Sequence, residues 1–85
     1  MTADGLRDVG EELERVIDDE DVPENVRASL KEAREHLLDD SKPESERAAN
    51  TVNVLNDVSS DPNLPMHIRT LIWNVSGELE TVTME

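Results

Sequence analysis

The chain has 85 residues, with 21 Asp or Glu against 8 Lys or Arg, a net charge of −13, no cysteine, and Trp73 as its single aromatic residue. These values exclude a disulfide framework, a cysteine-ligated zinc site and a thiol nucleophile, and they set one small domain over residues 1–85 that buries about 60 to 65% of its unfolded surface. No apolar run reaches the roughly 18 residues of a membrane-spanning helix, and the acidic start MTADGLRDVGEELERV is unlike a secretion signal, so a cytoplasmic protein without membrane contact is expected.

Four segments carry the helical period. Over residues 3–18, Leu6, Val9, Leu13, Val16 and Ile17 recur on one helix face, and the acid run Asp18 to Asp21 ends the segment. Pro23, suited by its fixed φ to a first helical position, opens residues 23–38, with Val26, Leu30, Ala33 and Leu37 inward. Pro43 opens residues 43–59, where Ala48, Val52, Leu55 and Val58 face the core and Glu44 and Glu46 favour the helix start. Pro65 opens residues 65–82, with Ile68, Leu71, Ile72, Val75, Leu79 and Val82 as the buried stripe. No segment alternates with period two, and links of about 4 to 6 residues make neighbouring helices antiparallel. The expectation is an all-α, four-helix, up-and-down bundle.

A shift of 42 residues superposes Leu13 on Leu55, Val22 on Leu64, Pro23 on Pro65, Arg27 on Arg69 and Leu37 on Leu79. The chain therefore reads as one αα-hairpin used twice, over about 3–38 and 43–82, each copy covering the apolar stripe of the other. The recurring pieces DVPENVR and NLPMHIR resemble the turn and second-helix start of HEAT repeats. That resemblance implies that Asp21 with Arg27, and Asn63 with Arg69, tie each turn to the helix begun by Pro23 or Pro65.

The charge is unevenly placed. Residues 1–46 hold 16 acids and 6 bases, whereas residues 47–77 hold only Arg47, Asp57, Asp61 and Arg69 and sum to zero. Acids spread over the exposed faces with only two lysines fit a high-salt cell, where screening contracts to a few Å and self-repulsion fades. The neutral stretch is then either buried or kept uncharged for docking.

Catalytic chemistry finds little to work with. The acid run 18–21 supplies no Gly at the sixth place of a calcium loop, and the serines lack a nucleophile elbow. Three glycines leave no phosphate cradle, and exposed acids without an apolar pocket hold no proton near pH 7. His36 and His67 have no partner at i+4 on their own helices, which makes capping or a surface contact the expected role of His67. No cofactor or metal is called for, and an enzyme is not expected. Arginines dispersed among acids also argue against direct nucleic-acid binding.

The stretch RAANTVNVLNDVSSDPNLPMHIRTLIWN, residues 47–74, with DVPENVR upstream, resembles uncharacterised protein family 0147, a set of small archaeal proteins. The resemblance rests on Asp61-Pro62-Asn63, Pro65, His67, Arg69-Thr70 and Ile72-Trp73-Asn74. It implies a four-helix bundle in an archaeal cytosol and no assigned activity, and a haloarchaeal member would account for the acidity.

Trp73 falls on the flank of its helix in line with Met66, Gly77 and Met84, either covering a corner of the core or forming an apolar patch. Interface cores are enriched in Trp and Met and depleted of charge. The functional expectation is a non-enzymatic helical module that binds a protein partner or a second copy through helices three and four. Trp73 and Met66 would be its anchors, and Asn50, Asn53, His67 and Asn74 its polar contacts. Two alternatives stand beside it: an accessory factor of translation or RNA processing that docks on a protein subunit, and an acidic mimic of nucleic acid.

Overall fold

The structure is a computed structural model that describes residues 3–83, with side chains for residues 5–82. It contains four helices, α1 (Ala3–Ile17), α2 (Glu24–Leu37), α3 (Glu44–Ser59) and α4 (Met66–Thr83). Each helix packs on the next, α1 closes the ring against α4 and also reaches α3 across the centre, and α2 and α4 stand diagonally opposed. This is an up-and-down four-helix bundle, 33 × 19 × 17 Å. Its α2/α3 and α3/α4 seams are extensive, and α1 is laid on more lightly.

The expected apolar positions converge on one core. Leu6, Leu13, Leu30, Ala33, Leu37, Ala48, Leu55, Ile68, Ile72 and Leu79 are wholly buried, and Val22 and Leu64 are drawn in from the turns. Leu71 is the exception: expected in the stripe, it is 43% exposed, because the lightly packed α1/α4 seam does not close over it. Arg47, Thr51 and Ser76 are buried although polar. Thr51 Oγ1 donates within hydrogen-bond range of the Ala33 and Arg47 carbonyls, linking α3 to α2.

The three turns, residues 18–23, 38–43 and 60–65, are each six residues long. They share the sequence Asp-x3-Pro-x3-Arg, as Asp19/Pro23/Arg27, Asp39/Pro43/Arg47 and Asp61/Pro65/Arg69. In each, the Asp N–H bonds back to a helix carbonyl three residues earlier, and its own carbonyl accepts from the residue before the proline. The Asp Oδ1 accepts the N–H two residues on, from Asp21, Ser41 or Asn63. Pro23 and Pro43 are N-caps with φ −60° and ψ near 150°, one place earlier than expected, because each proline carbonyl accepts the first helical bond, from the N–H of the Arg four residues on. Pro65 accepts from Arg69 in the same way.

The arginine then reaches back. Arg27 Nη1 donates to the Ile17 carbonyl, Arg47 Nε to Leu37 and Arg69 Nε to Ser59, in every case the last residue of the preceding helix. A helix C-terminus leaves carbonyls without partners and carries partial negative charge, so a guanidinium is the matching cap. The repeating unit is thus one turn with its flanking helix ends, spaced 20 and then 22 residues, and it is finer than the expected hairpin repeat. The acid of the HEAT-like reading moves accordingly. Arg27 bonds to the carbonyls of Ile17, Asp19 and Val22 and lies 3.5 Å from Glu24. The Asp21 carboxylate points instead at His67, since Asp19 already occupies the turn position that faces inward.

Candidate functional site

Three surfaces carry the residues singled out from sequence. The first is the end of the bundle where the α1–α2 and α3–α4 turns meet. His67, in the first turn of α4, has Nε2 3.6 Å from Asp19 Oδ2 and 3.5 Å from Asp21 Oδ2. The partner that its own helix lacks is supplied by another turn, 46 to 48 residues away in sequence. One ligand atom from each of Asp19, Asp21 and His67 falls within 4.8 Å of the others. A protonated imidazole satisfies this arrangement as it stands, and a divalent cation would find three donors of the kinds that bind zinc or manganese. Beside it, Asn25 Nδ2 donates to Asp61 Oδ2 at 3.0 Å, so Asn63 and Asn25 share one carboxylate. His36 has its own partner one turn back, with Nε2 3.6 Å from Glu32.

The second surface is a cleft of about 690 Å³ along the α1/α4 seam. Glu12, Arg15 and Val16 line it from α1, Asp19 from the turn just after it, and Leu71, Asn74, Val75 and Glu78 from α4. Each set has the spacing i, i+3, i+4, i+7 of a single helix stripe. The helices are antiparallel, so Glu12 opposes Glu78 at one end while Asp19 and His67 meet at the other. Burial, and then repulsion from Glu12, push the Glu78 carboxyl above its ordinary value.

The third surface is the outer side of α4. Trp73 is 54% and Met66 63% exposed, seven residues or about 10 Å apart on one side of the helix, with Thr70 and Gly77 exposed on the same stripe. Trp73 is therefore no core residue, and Met84, expected in line with it, lies outside the described residues. The polar residues expected to join this patch are scattered. Asn74 turns into the α1/α4 cleft, and His67 is held by the α1–α2 turn. Asn50 stands one and two turns before Val54 and Asp57, which line the groove between α2 and α3. Asn53 is exposed on α3.

The model of uncharacterised protein family UPF0147 matches residues 2–82. The chain belongs to this family. UPF0147 relatives from archaea align along most of their length. The chain is 47% identical to the UPF0147 protein of Archaeoglobus fulgidus over 85 residues, covering all of this chain and 97% of that protein. It is 48% identical over 69 residues to that of Thermococcus kodakarensis, covering 81% and 83% of the two. The crystal structure of a protein of unknown function, MMP1188, has the same fold, with a TM-score of 0.90 and 38% identity over 95% of this chain and 92% of that one. No helix among the described residues is long and apolar enough to cross a membrane.

In this UPF0147 member, sequence reasoning missed Arg47 as a buried residue and Asp19 and Asp39 as turn residues. The signal was present: Asp-x3-Pro-x3-Arg occurs three times, but only two copies coincide under the 42-residue shift. It also missed the α1/α4 cleft, whose eight residues look like ordinary surface and core positions until the two helices are set side by side.

Proposed function

We propose that the protein is a non-enzymatic interaction module that engages an uncharged protein surface through the outer side of α4, with Trp73 and Met66 as anchors. The observation that carries this reading is the exposure of both side chains, 54% and 63%, in the part of a −13 chain that is kept neutral. Its four charged residues mostly serve the fold: Arg47 and Arg69 cap helix ends, and Asp61 orders a turn. Such a face desolvates at low cost, and a half-exposed Trp set in it is the kind of side chain that dominates binding energy. Diffuse acidity elsewhere is adaptation to a salty, haloarchaeal cytoplasm, where close approach of two acidic surfaces is screened.

Trp73→Ala tests this. Affinity purification from the native host at physiological salt, with RNase-treated controls, is expected to recover a protein partner with the unchanged chain and to lose it with the variant, while helicity in multi-molar KCl is retained. The single Trp supplies a direct readout, since its emission shifts to the blue as a partner covers it. A variant that retains the partner, or native preparations in which Trp73 stays solvent-exposed in the complex, would remove the anchor and the proposal with it.

A further inference from the structure

The α1/α4 cleft lies on the other flank of α4 from Trp73, and its chemistry differs from that of the neutral face. Its floor is apolar, made by Val16 and Val75 with Leu71 standing 43% exposed in the wall. Its two ends are acidic. Glu12 faces Glu78 at one, and Asp19 lies at the other, seven residues on from Glu12 in the turn that follows α1, with its Oδ2 3.6 Å from His67 Nε2. Like charges held over apolar surface call for a cation between them. A hydrated metal ion would leave Leu71, Val16 and Val75 wet, whereas an ammonium group on a methylene chain neutralises the carboxylates and covers the floor with its stem.

We propose that this cleft is a binding site for a linear aliphatic polyamine of spermidine length, one terminal ammonium between Glu12 and Glu78, the chain over Val16, Val75 and Leu71, and the other terminal ammonium at Asp19. Five residues of helix, about 7.5 Å, already separate Glu12 from the end of α1 at Ile17, and Asp19 lies beyond it, so the span exceeds the reach of a short diamine and calls for a longer chain such as a triamine. Asn74, in the middle of the cleft, offers an amide oxygen to the internal ammonium. Among the described residues, Arg15 is the one cation lining the cleft and is in no ion pair within 4 Å, so it competes for the same carboxylates and sets the affinity. The ionised form of Glu78 is the one that binds. As pH falls into the raised range of that carboxyl, the group takes up a proton and the site weakens. Glu12 and Arg15 from α1, Asp19 from the turn after it, and His67 at the far end, are the other charged or titratable groups that bear on the site.

Titration calorimetry and amide-shift mapping with spermidine, on the whole chain at fixed KCl and pH, test the site. One molecule per chain is expected, with shifts concentrated along residues 12–19 and 71–78. Glu12→Gln with Glu78→Gln should weaken binding at least tenfold. Glu35→Gln with Glu46→Gln, which removes the same two charges from exposed positions on α2 and α3, should change it less than twofold. Putrescine should bind at least tenfold more weakly than spermidine, and Arg15→Gln should tighten binding. Circular dichroism confirms that each variant is folded. Equal losses in the two double variants, or unsaturable binding with shifts spread over all four helices, would mean attraction by net charge alone and overturn the proposal.

Discussion

The Nε of Arg47 donates to the carbonyl oxygen of Leu37 at 2.9 Å, so the fourth residue of α3 caps the last residue of α2. Its guanidinium also lies 3.5 Å from Asp40, and the residue is 8% exposed, the most deeply buried charge described in the protein. Removing the donor leaves a buried carbonyl unpaired and a gap where the aliphatic stem packed. Arg47→Ala is expected to cost about 1.5 to 3 kcal/mol, the range for a hydrogen bond to a charged group, read from urea melts at constant KCl. Arg47→Lys should recover only part, since an ammonium cannot reproduce the Nε geometry. Equal losses for Arg47→Ala and Arg27→Ala, whose side chain is twice as exposed, would show that burial is not what gives the cap its strength.

Glu78 should make stability depend on pH in an unusual direction. Its folded-state carboxyl is held above the ordinary value, first by burial and then by Glu12. Between the ordinary and the raised value the folded chain holds more protons than the unfolded one, so stability falls as pH rises through that window. Glu78→Gln is expected to raise stability at pH 7 and to flatten this part of the profile, measured by thermal melts at pH steps. Asp39 acts with the opposite sign. The Ser41 hydroxyl, and then the Ser41 N–H, donate to it and hold its carboxyl low, so its contribution is present near neutrality and is lost in acid.

Gly77 stands exposed in the middle of α4, with nothing within 4 Å of where a Cβ would lie. Gly77→Ala removes unfolded-state freedom without a clash and should stabilise the protein by about 0.5 to 1 kcal/mol. The midpoint in urea reports it, and an unchanged slope would place the effect in stability alone.

Ser76, one residue earlier, is 7% exposed and its Oγ has no hydrogen-bond partner among the described residues. Burying an unpaired hydroxyl is unfavourable, so Ser76→Ala should be neutral or stabilising by up to about 1 kcal/mol. Ser76→Ala and Gly77→Ala are neighbours on one helix, and any shortfall from additivity in the double variant measures their coupling. A loss of stability in Ser76→Ala would show that the hydroxyl is bonded after all.

The sequence by itself determined the four helices, their ends to within a residue, and nearly all of the core. Periods of 3.6 in short, proline-bounded segments admit one solution, and each apolar stripe must find a cover. It also placed Trp73 and Met66 on a flank of α4, and the structure, by leaving them 54% and 63% exposed, decided that the flank faces outward. What the sequence could not fix depends on which helices touch and how tightly. Leu71 satisfies the same spacing as Ile72 and Val75, yet stays open because α1 lies lightly on α4. His67 acquires Asp19 and Asp21, and Glu78 acquires Glu12, across seams that join residues more than 40 positions apart. The count of 21 acids against 8 bases therefore says little about a site, because the effect of a charge here is set by its neighbour in the adjacent helix, and only the packing names that neighbour.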